Sequence, residues 1–223
     1  MSQVTKKSVT KKLGRPRDVD STATRNRLID VARRIFARDG YGATTNRSIA
    51  DEVGITTGAI YHYFPSKAEL FAAVYETVQH TMYDRFELEL ANPGSLTERF
   101  SAILDAAVEL NKSDSSIAGF IVTVPSEMQR HPELIELLVP IRNQTATLIS
   151  RLVAEAAKAG ELVDGVKPRA VVDLLNSVMS GLAVFGTVTG DIDRHGDAIC
   201  ALQQFLAGQL VKGQREISAV NRR

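Results

Sequence analysis

Two short amphipathic segments on either side of Gly54 constrain the fold of this chain more than any other feature. Each segment carries its apolar residues at helical spacing, and Thr45 and Thr56 precede them as candidate N-caps. Gly54 lies where the chain needs a left-handed turn residue. The inward positions are Ile49, Ala50, Val53, Ile55, Ile60 and Phe64. This pattern predicts a helix-turn-helix, although a generic helical hairpin has the same apolar spacing.

Helical periodicity extends over most of the remaining chain. A helix is expected from Thr24 to Gly40, where the glycine is a natural stop. Two capping-box patterns open later helices, namely Ser66 with Glu69 and Ser95 with Glu98. Further helices are expected near residues 115–130, 132–159, 168–188 and 195–212, with Pro125 and Pro140 as sites of kinking or division. Because no stretch alternates with period two, the predicted class is all-α.

The charged residues are distributed unevenly along the chain. Residues 1–67 contain 13 Lys and Arg against 6 Asp and Glu, whereas residues 68–223 contain 14 against 20. This asymmetry indicates a basic module that meets a polyanion, followed by an acidic body. The predicted organisation is a flexible basic arm at 1–20, a three-helix domain with the helix-turn-helix at 21–67, and a helical acidic body at 68–223.

Several classes of protein are disfavoured by the sequence. No run approaches 18 consecutive apolar residues, and the basic N-terminus has no apolar segment after it, so a cytoplasmic protein without a membrane span or secretory signal is expected. Cys200 is the single cysteine, His62 has no ligand partner at suitable spacing, and no His-Glu-x-x-His or Glu-x-x-His motif is present. Catalytic and phosphate-cradling motifs are missing, which predicts a protein that is not an enzyme and has no cofactor or metal. A helical adaptor or ligand-binding protein remains the alternative.

The outer side of the second short segment favours DNA as the partner. It carries Thr57, Gly58, Ala59, Tyr61 and His62. Small side chains there allow a helix backbone to approach base edges closely, and the positive end of the helix dipole favours phosphate.

The whole block from Thr44 to Leu70 closely resembles the DNA-binding domain of TetR-type regulators. The motifs that carry the resemblance are TTNRSIA at 44–50, VGI at 53–55, GAIYHYF at 58–64, and Ser66-Lys67 with Leu70; Ala32, Phe36 and Gly40-Tyr41 fit the same pattern. The resemblance implies a homodimeric regulator, usually a repressor that a small ligand releases from a palindromic operator in double-stranded DNA.

The resemblance also implies which residues contact DNA. Arg47 matches a position that reads a base, and arginine suits the O6/N7 edge of guanine, with a phosphate contact as the alternative. Tyr63 could instead pack on the first helix, and Thr45 could matter mainly as a cap. The expected contacts are Thr45, Arg47, Thr57, Gly58, Ala59, Tyr61, His62, Tyr63 and Lys67.

The arm adds Gly14-Arg15-Pro16-Arg17, which resembles the core of an AT-hook. An extended segment with Pro can follow a narrow A·T minor groove, whose negative potential attracts Arg15 and Arg17. A simple phosphate contact is the alternative.

The acidic body is expected to supply dimerisation and ligand sensing. The segment from Ala170 to Val188 is apolar around much of its circumference, so it must be buried on more than one face, by a partner subunit or within the monomer. The expected dimer contacts are Val172, Leu175, Val178, Met179, Leu182, Ile199, Leu202, Phe205 and Leu206, and Gly181 and Gly186 would permit close approach.

A pocket for a mostly apolar or aromatic effector is expected among the middle helices. The candidate lining residues are Phe71, Tyr75, Met82, Phe86, Phe100, Leu104, Phe120 and Met128, although aromatic and Met residues at helical spacing can equally be ordinary core.

Overall fold

The computed structural model describes residues 17–145 and 147–211, and within them it contains helices and no strand. The all-α prediction is confirmed. The helices are α1 Arg17–Ala43, α2 Asn46–Val53, α3 Thr57–Tyr63, α4 Lys67–Leu90, α5 Leu96–Ser113, α6 Ser115–Arg130, α7 Ile135–Thr145, α8 Thr147–Lys158, α9 Pro168–Thr189 and α10 Ile192–Leu206, with a 3₁₀ turn at Pro132–Leu134 before α7.

The short helices begin and end where local side chains dictate. Thr45 caps α2 in a reciprocal capping box with Ser48, and Thr56 accepts a hydrogen bond from the backbone of Ala59 at the start of α3. Gly54 has a φ of 77°, the left-handed conformation that ends α2. Ser66 caps α4 by accepting from Glu69 N. Each of these positions was expected from the sequence.

Two helix boundaries differ from expectation. The first helix begins at Arg17, before Thr24, and it continues for one turn past Gly40, whose φ of 76° interrupts it. The region expected as one helix at 132–159, with Pro140 as a site of kinking or division, consists of the 3₁₀ turn, α7 and α8, and Pro140 lies inside α7.

The first of two hydrophobic cores joins α2 and α3 to α1, α4, α6 and α7. At its centre, the rings of Phe36 and Phe71 meet edge to face at 4.9 Å between centroids, and Phe120 lies 4.9 Å from Phe71. Phe36 belongs to α1 and Phe120 to α6, so one continuous core crosses the expected domain boundary after residue 67.

The second core lies between the later half of α4 and helices α5, α8, α9 and α10. Its buried members include Phe86, Phe100, Leu104, Leu152 and Ile199. This core forms the far end of the molecule from α2 and α3.

Helix α6 is bound to α1 along its length. Near its middle, a Cβ on Gly119 would lie 3.5 Å from the Cβ of Ala37. At its start, the guanidinium of Arg33, a buried α1 residue, pairs with the carboxylate of Asp114 and donates to Ser116 Oγ at 2.9 Å. Asp114 is also the N-cap of α6. The charged contact therefore fixes both the helix start and its position on α1.

By length and composition α9 could cross a membrane, with a mean hydropathy of 1.6 over 18 residues. The expectation of no such segment rested on uninterrupted apolar runs, which α9 lacks because Asp173 and several Ser and Thr residues interrupt it. In the structure α9 packs on α6, α8 and α10. One side is thus covered by the fold, and the other side remains exposed.

We expect Asp114→Asn to lower the free energy of unfolding at pH 7 by about 1–3 kcal/mol, since it removes a charged partner from Arg33 while keeping a capping side chain. Burial by itself would raise the pKa of Asp114, but hydrogen bonds from Ser116 and the charge of Arg33 lower that pKa on balance. The stabilisation is therefore present above the ordinary carboxyl pKa and is lost as pH falls through the lowered one.

Urea unfolding at pH 7 and at pH 3, followed by far-ultraviolet circular dichroism, measures this difference. Asp30→Asn is the matched control, because Asp30 lies 3.4 Å from the same guanidinium but its side chain is 53% exposed. An equal effect of both variants, or a difference independent of pH, would contradict the assignment.

Candidate functional site

The outer surface of α3 is open to a large partner. Ile60 is fully buried and holds the helix on the first core, whereas Tyr61 is 53% exposed and His62 is exposed. Gly58 is exposed, and a Cβ there would have only Thr56 Oγ1 within reach, at 3.9 Å. The N-terminal end of α3 therefore carries small side chains and is exposed, as is required of a helix that enters a DNA groove.

Arg47 extends from the first turn of α2 beside this edge. Its side chain is 86% exposed and lies 3.9 Å from Asp51 at one atom pair, which is a weak surface interaction. The guanidinium is free to exchange that contact for a base or phosphate. Thr45, immediately before α2, is exposed but already caps the helix.

Lys67 is held within the protein. Its Nζ donates to the carbonyl oxygens of Tyr41 at 2.6 Å and Thr44 at 2.8 Å, and lies 4.1 Å from the centroid of the Tyr41 ring. Burial lowers the pKa of Lys67, and the charges of Glu127 and Glu133 oppose that shift. The lysine therefore fastens α4 to the end of α1, whereas the sequence predicted a phosphate contact.

The end of α6 meets the same junction. A Cβ on Gly40 would lie 2.6 Å from Glu127 Oε1, and Gly40 also has a positive φ, so glycine is required there. The ring of His131 packs edge to face on Tyr41 at 4.8 Å and lies within 3.6 Å of carboxylate oxygens of Glu127 and Glu133. The α6 terminus thus rests directly on the segment that precedes α2.

A cavity of about 450 Å³ lies where the two cores meet, between α4, α5, α6 and helices α7 to α10. Its volume is within the range of small-molecule sites in proteins. Most of its wall is apolar: Met82, Tyr83, Phe86, Leu104, Ala107, Leu110, Ile117, Ala118, Ile121, Leu148, Ile149, Met179, Leu182, Ala183 and Ile199. Three of these residues, Ile117, Ala118 and Ile121, belong to α6, so this helix borders both the cavity and α1.

The polar groups of the cavity wall are few. They are Gln79, Asn111, Arg142, Asn176, Ser180 and His195. Arg142 is the single permanently charged side chain among the described lining residues, and none of those residues is acidic. His195 is 5% exposed, and neither of its ring nitrogens has a hydrogen-bond partner among residues 17–145 and 147–211.

An apolar face on α9 and α10 remains uncovered in the single chain. Leu174 is 59% exposed, Val184 47% and Val188 79% along one side of α9, and Phe205 of α10 is 60% exposed. Exposed apolar residues that follow one another along a helix face indicate a surface for another protein.

Comparison with known proteins identifies the family. The model for bacterial regulatory proteins of the tetR family matches residues 28–74, which span α2 and α3, and the model for the C-terminal part of BetI-type transcriptional repressors matches residues 96–211. The chain belongs to the TetR family. It is therefore a transcriptional regulator that binds DNA, and the predicted absence of enzymatic function is confirmed.

Individual TetR-family relatives are distant in sequence. The fatty acid metabolism regulator protein of Bacillus subtilis is 22% identical over 161 residues, covering 72% of this chain and 77% of the relative. The regulator UidR of Escherichia coli is 22% identical over 167 residues, covering 73% and 83%.

Solved structures of the TetR family share the fold. The regulator FadR from Bacillus subtilis in complex with stearoyl-CoA gives a TM-score of 0.69 at 18% identity, covering 80% of this chain and 96% of that one. The ketosteroid regulator KstR2 of Mycobacterium tuberculosis gives a TM-score of 0.62 at 20% identity, covering 83% of this chain and 92% of that one.

The structure brings together most of the predicted DNA-contacting residues of this TetR-family chain. Thr45, Arg47, Thr57, Gly58, Ala59, Tyr61 and His62 lie on or beside the open edge of α2 and α3. Tyr63 is half-buried against the first core, which is the alternative that the sequence left open. Lys67 is bound to the carbonyls of Tyr41 and Thr44. Arg15 lies outside the described residues, as does the side chain of Arg17.

Most of the predicted dimer residues are partly exposed and pack against the second core of the same chain. Leu175 and Ile199 are buried in the second core, and six others pack against it, namely Val172, Val178, Met179, Leu182, Leu202 and Leu206; only Phe205 is exposed. Gly186 faces His195 of the same chain, where a Cβ would lie 3.0 Å from the ring. A helix with apolar residues on all sides does not reveal which face turns inward.

The predicted pocket is partly wrong. Met82, Phe86 and Leu104 line the cavity. Phe71, Tyr75 and Phe120 are buried in the first core, Phe100 is buried in the second, and Met128 packs against the first. The sequence alone does not identify His195, because the signal of an unpaired buried imidazole exists only in the fold.

We expect Lys67→Met to lower the free energy of unfolding by about 1–3 kcal/mol, because the carbonyls of Tyr41 and Thr44 lose a charged donor. Arg47→Met serves as the matched control and should stay within about 0.5 kcal/mol of the wild type, since that arginine is mostly exposed. Urea denaturation of the two variants compares them directly. Wild-type stability of Lys67→Met would show that Lys67 is free for another role.

Proposed function

We propose that this TetR-family protein is a homodimeric repressor that occupies a palindromic DNA site and is released by a small, mostly apolar or aromatic ligand. The observation that carries the proposal is the position of α6, which lines the cavity on one side and rests on α1 on the other. A protein with this function works in the cytoplasm, where its operator is accessible.

DNA recognition is assigned to α2 and α3. Tyr61 and the small residues Thr57, Gly58 and Ala59 would face the floor of the major groove, and Arg47 would read a guanine. Thr45 and His62 would contact phosphates, and the residue 1–20 arm, with Arg15 and Arg17, would follow the neighbouring minor groove. Phosphate contacts of this kind make binding fall steeply with salt.

Dimerisation is assigned to the exposed side of α9 and α10. Two recognition helices must lie about 34–36 Å apart to enter successive major grooves, and a two-fold body is the usual means of holding them there. The uncovered face of Leu174, Val184, Val188 and Phe205 suits self-association, because a second copy presents the same apolar face.

Ligand release is assigned to the path from the cavity through α6. A molecule against Ile117, Ala118 and Ile121 presses on the helix whose other contacts are Arg33, Ala37 and Gly40 of α1. A ligand that binds more tightly to a conformation with a shifted α6 would lower the affinity for DNA. The size of this decrease is set by the difference between the ligand's affinities for the shifted and the DNA-binding conformations. The apolar wall favours an apolar ligand, and the stearoyl-CoA bound by FadR and the ketosteroid regulator are consistent with that chemistry.

We expect Arg47→Ala to relax one base position in each half-site by about 1–3 kcal/mol. Selection of bound sequences from random duplex DNA with the wild type should first yield a two-fold symmetric site, and titration on that site and its single-base variants measures the change. Arg169→Ala is the matched control, because Arg169 forms a similar exposed pair with Asp173 at 4.0 Å on α9.

A uniform loss on every sequence would reassign Arg47 to phosphate. Failure of the wild type to select any sequence would remove the proposed operator.

We expect Val188→Asp to convert a dimer into a monomer, since a carboxylate would be buried in the interface. Val163→Asp is the matched control, because Val163 is 77% exposed against 79% for Val188 but lies between α8 and α9. Sedimentation equilibrium measures the mass of each variant. A monomeric wild type, or a Val188→Asp variant that remains dimeric, would overturn this interface.

A further inference from the structure

We infer that His195 is the polar anchor of the cavity, and that the effector is an apolar molecule with a neutral or anionic oxygen that hydrogen-bonds to this imidazole. The inference rests on the proposed ligand response and specifies the chemistry of the ligand.

The first observation is the unpaired imidazole. His195 lies in the first turns of α10, with its ring against the backbone of Gly186 on α9. Both ring nitrogens are enclosed and have no hydrogen-bond partner, while the residue lines the cavity. Leaving a buried polar group unpaired costs folding free energy, so a structural histidine would be expected to have a partner.

The second observation is the position of His195 relative to the other lining groups. Asn111 lines the same cavity and also a neighbouring depression whose wall includes Gly186, the residue that supports the His195 ring. His195 and Asn111 are thus linked through Gly186, and both line a cavity whose wall also carries the apolar residues Met82, Phe86 and Leu104.

The charges of the residues that line the cavity determine which polar group of a ligand can bind there. A neutral imidazole offers one donor and one acceptor, and Arg142 adds a positive charge elsewhere on the wall. Since none of the described lining residues is acidic, a buried ammonium group would have no counter-charge. Carboxylates, carbonyls and hydroxyls satisfy the imidazole after a rotation of its ring, and cations do not.

The ring size of His195 permits a variant that separates binding from folding. His195→Phe keeps a flat ring on Gly186 and removes both unpaired nitrogens. If His195 serves the ligand, this variant should unfold at the same temperature as the wild type or higher, and it should bind an oxygen-bearing ligand on the order of ten-fold more weakly or worse. His195→Leu is a smaller second variant in case the phenyl ring does not fit.

The probes are decanoate, 1-decanol and decyltrimethylammonium, together with the same three head groups on naphthalene, so that a flexible and a rigid apolar body are both sampled. Isothermal titration calorimetry measures Kd, and release from the selected DNA site measures the response. His80→Phe is the matched control, because His80 is an exposed histidine on α4. We expect carboxylate or hydroxyl probes to bind the wild type and the control, the ammonium probes to bind neither, and His195→Gln to recover part of the affinity.

The possible failures are distinguishable. If the wild type, His195→Phe and His195→Leu bind the oxygen-bearing probes equally well, His195 is not the polar anchor. That result would not contradict the proposed ligand response. Binding of the ammonium probes would overturn the assigned ligand chemistry. A lower unfolding temperature in both apolar variants would make His195 structural. Binding of none of the probes by the wild type would remove both the inference and the ligand half of the proposed function.

Discussion

The contact between α6 and α1 is the constraint on which the rest of this structure depends. It is close at Gly119, where an added Cβ would be in van der Waals contact with Ala37, and charged at its start, where Asp114 joins Arg33. At its end Glu127 occupies the space beside Gly40. Because packed helices have discrete arrangements and resist gradual deformation, α1 and α6 are expected to move together or to separate.

In the function proposed above, this contact is the route by which a ligand in the cavity would influence DNA binding without touching α3. The first core runs without a break from Ile60 of α3 through Phe36 and Phe71 to Phe120 of α6. Under the proposed function, a displacement of α6 would be passed towards α3 through this core, in which the rings of Phe36, Phe71 and Phe120 pack together. Lys67 adds a second connection, because it holds α4 to the carbonyls that precede α2.

Features that depend on neighbours in sequence could be predicted, and features that depend on distant contacts could not. The caps at Thr45, Thr56 and Ser66 and the turn at Gly54 follow from backbone chemistry within four residues. The role of Lys67 requires knowledge that Tyr41 and Thr44 expose their carbonyls to it across the fold. The inward face of α9 could not be chosen, because apolar residues occupy both its inward side and its exposed side, and aromatic residues such as Phe71 do not distinguish a core from a pocket.

Few residues attach α3 to the first core, and this has an evolutionary consequence. Of its seven residues only Ile60 is buried, and the outward positions contribute little to the core. A side chain placed at Gly58 meets open space, so this surface can be diversified with small effects on folding. Descendants of such a protein could acquire new target genes through a few substitutions on one exposed turn, while keeping the same sensor behind it.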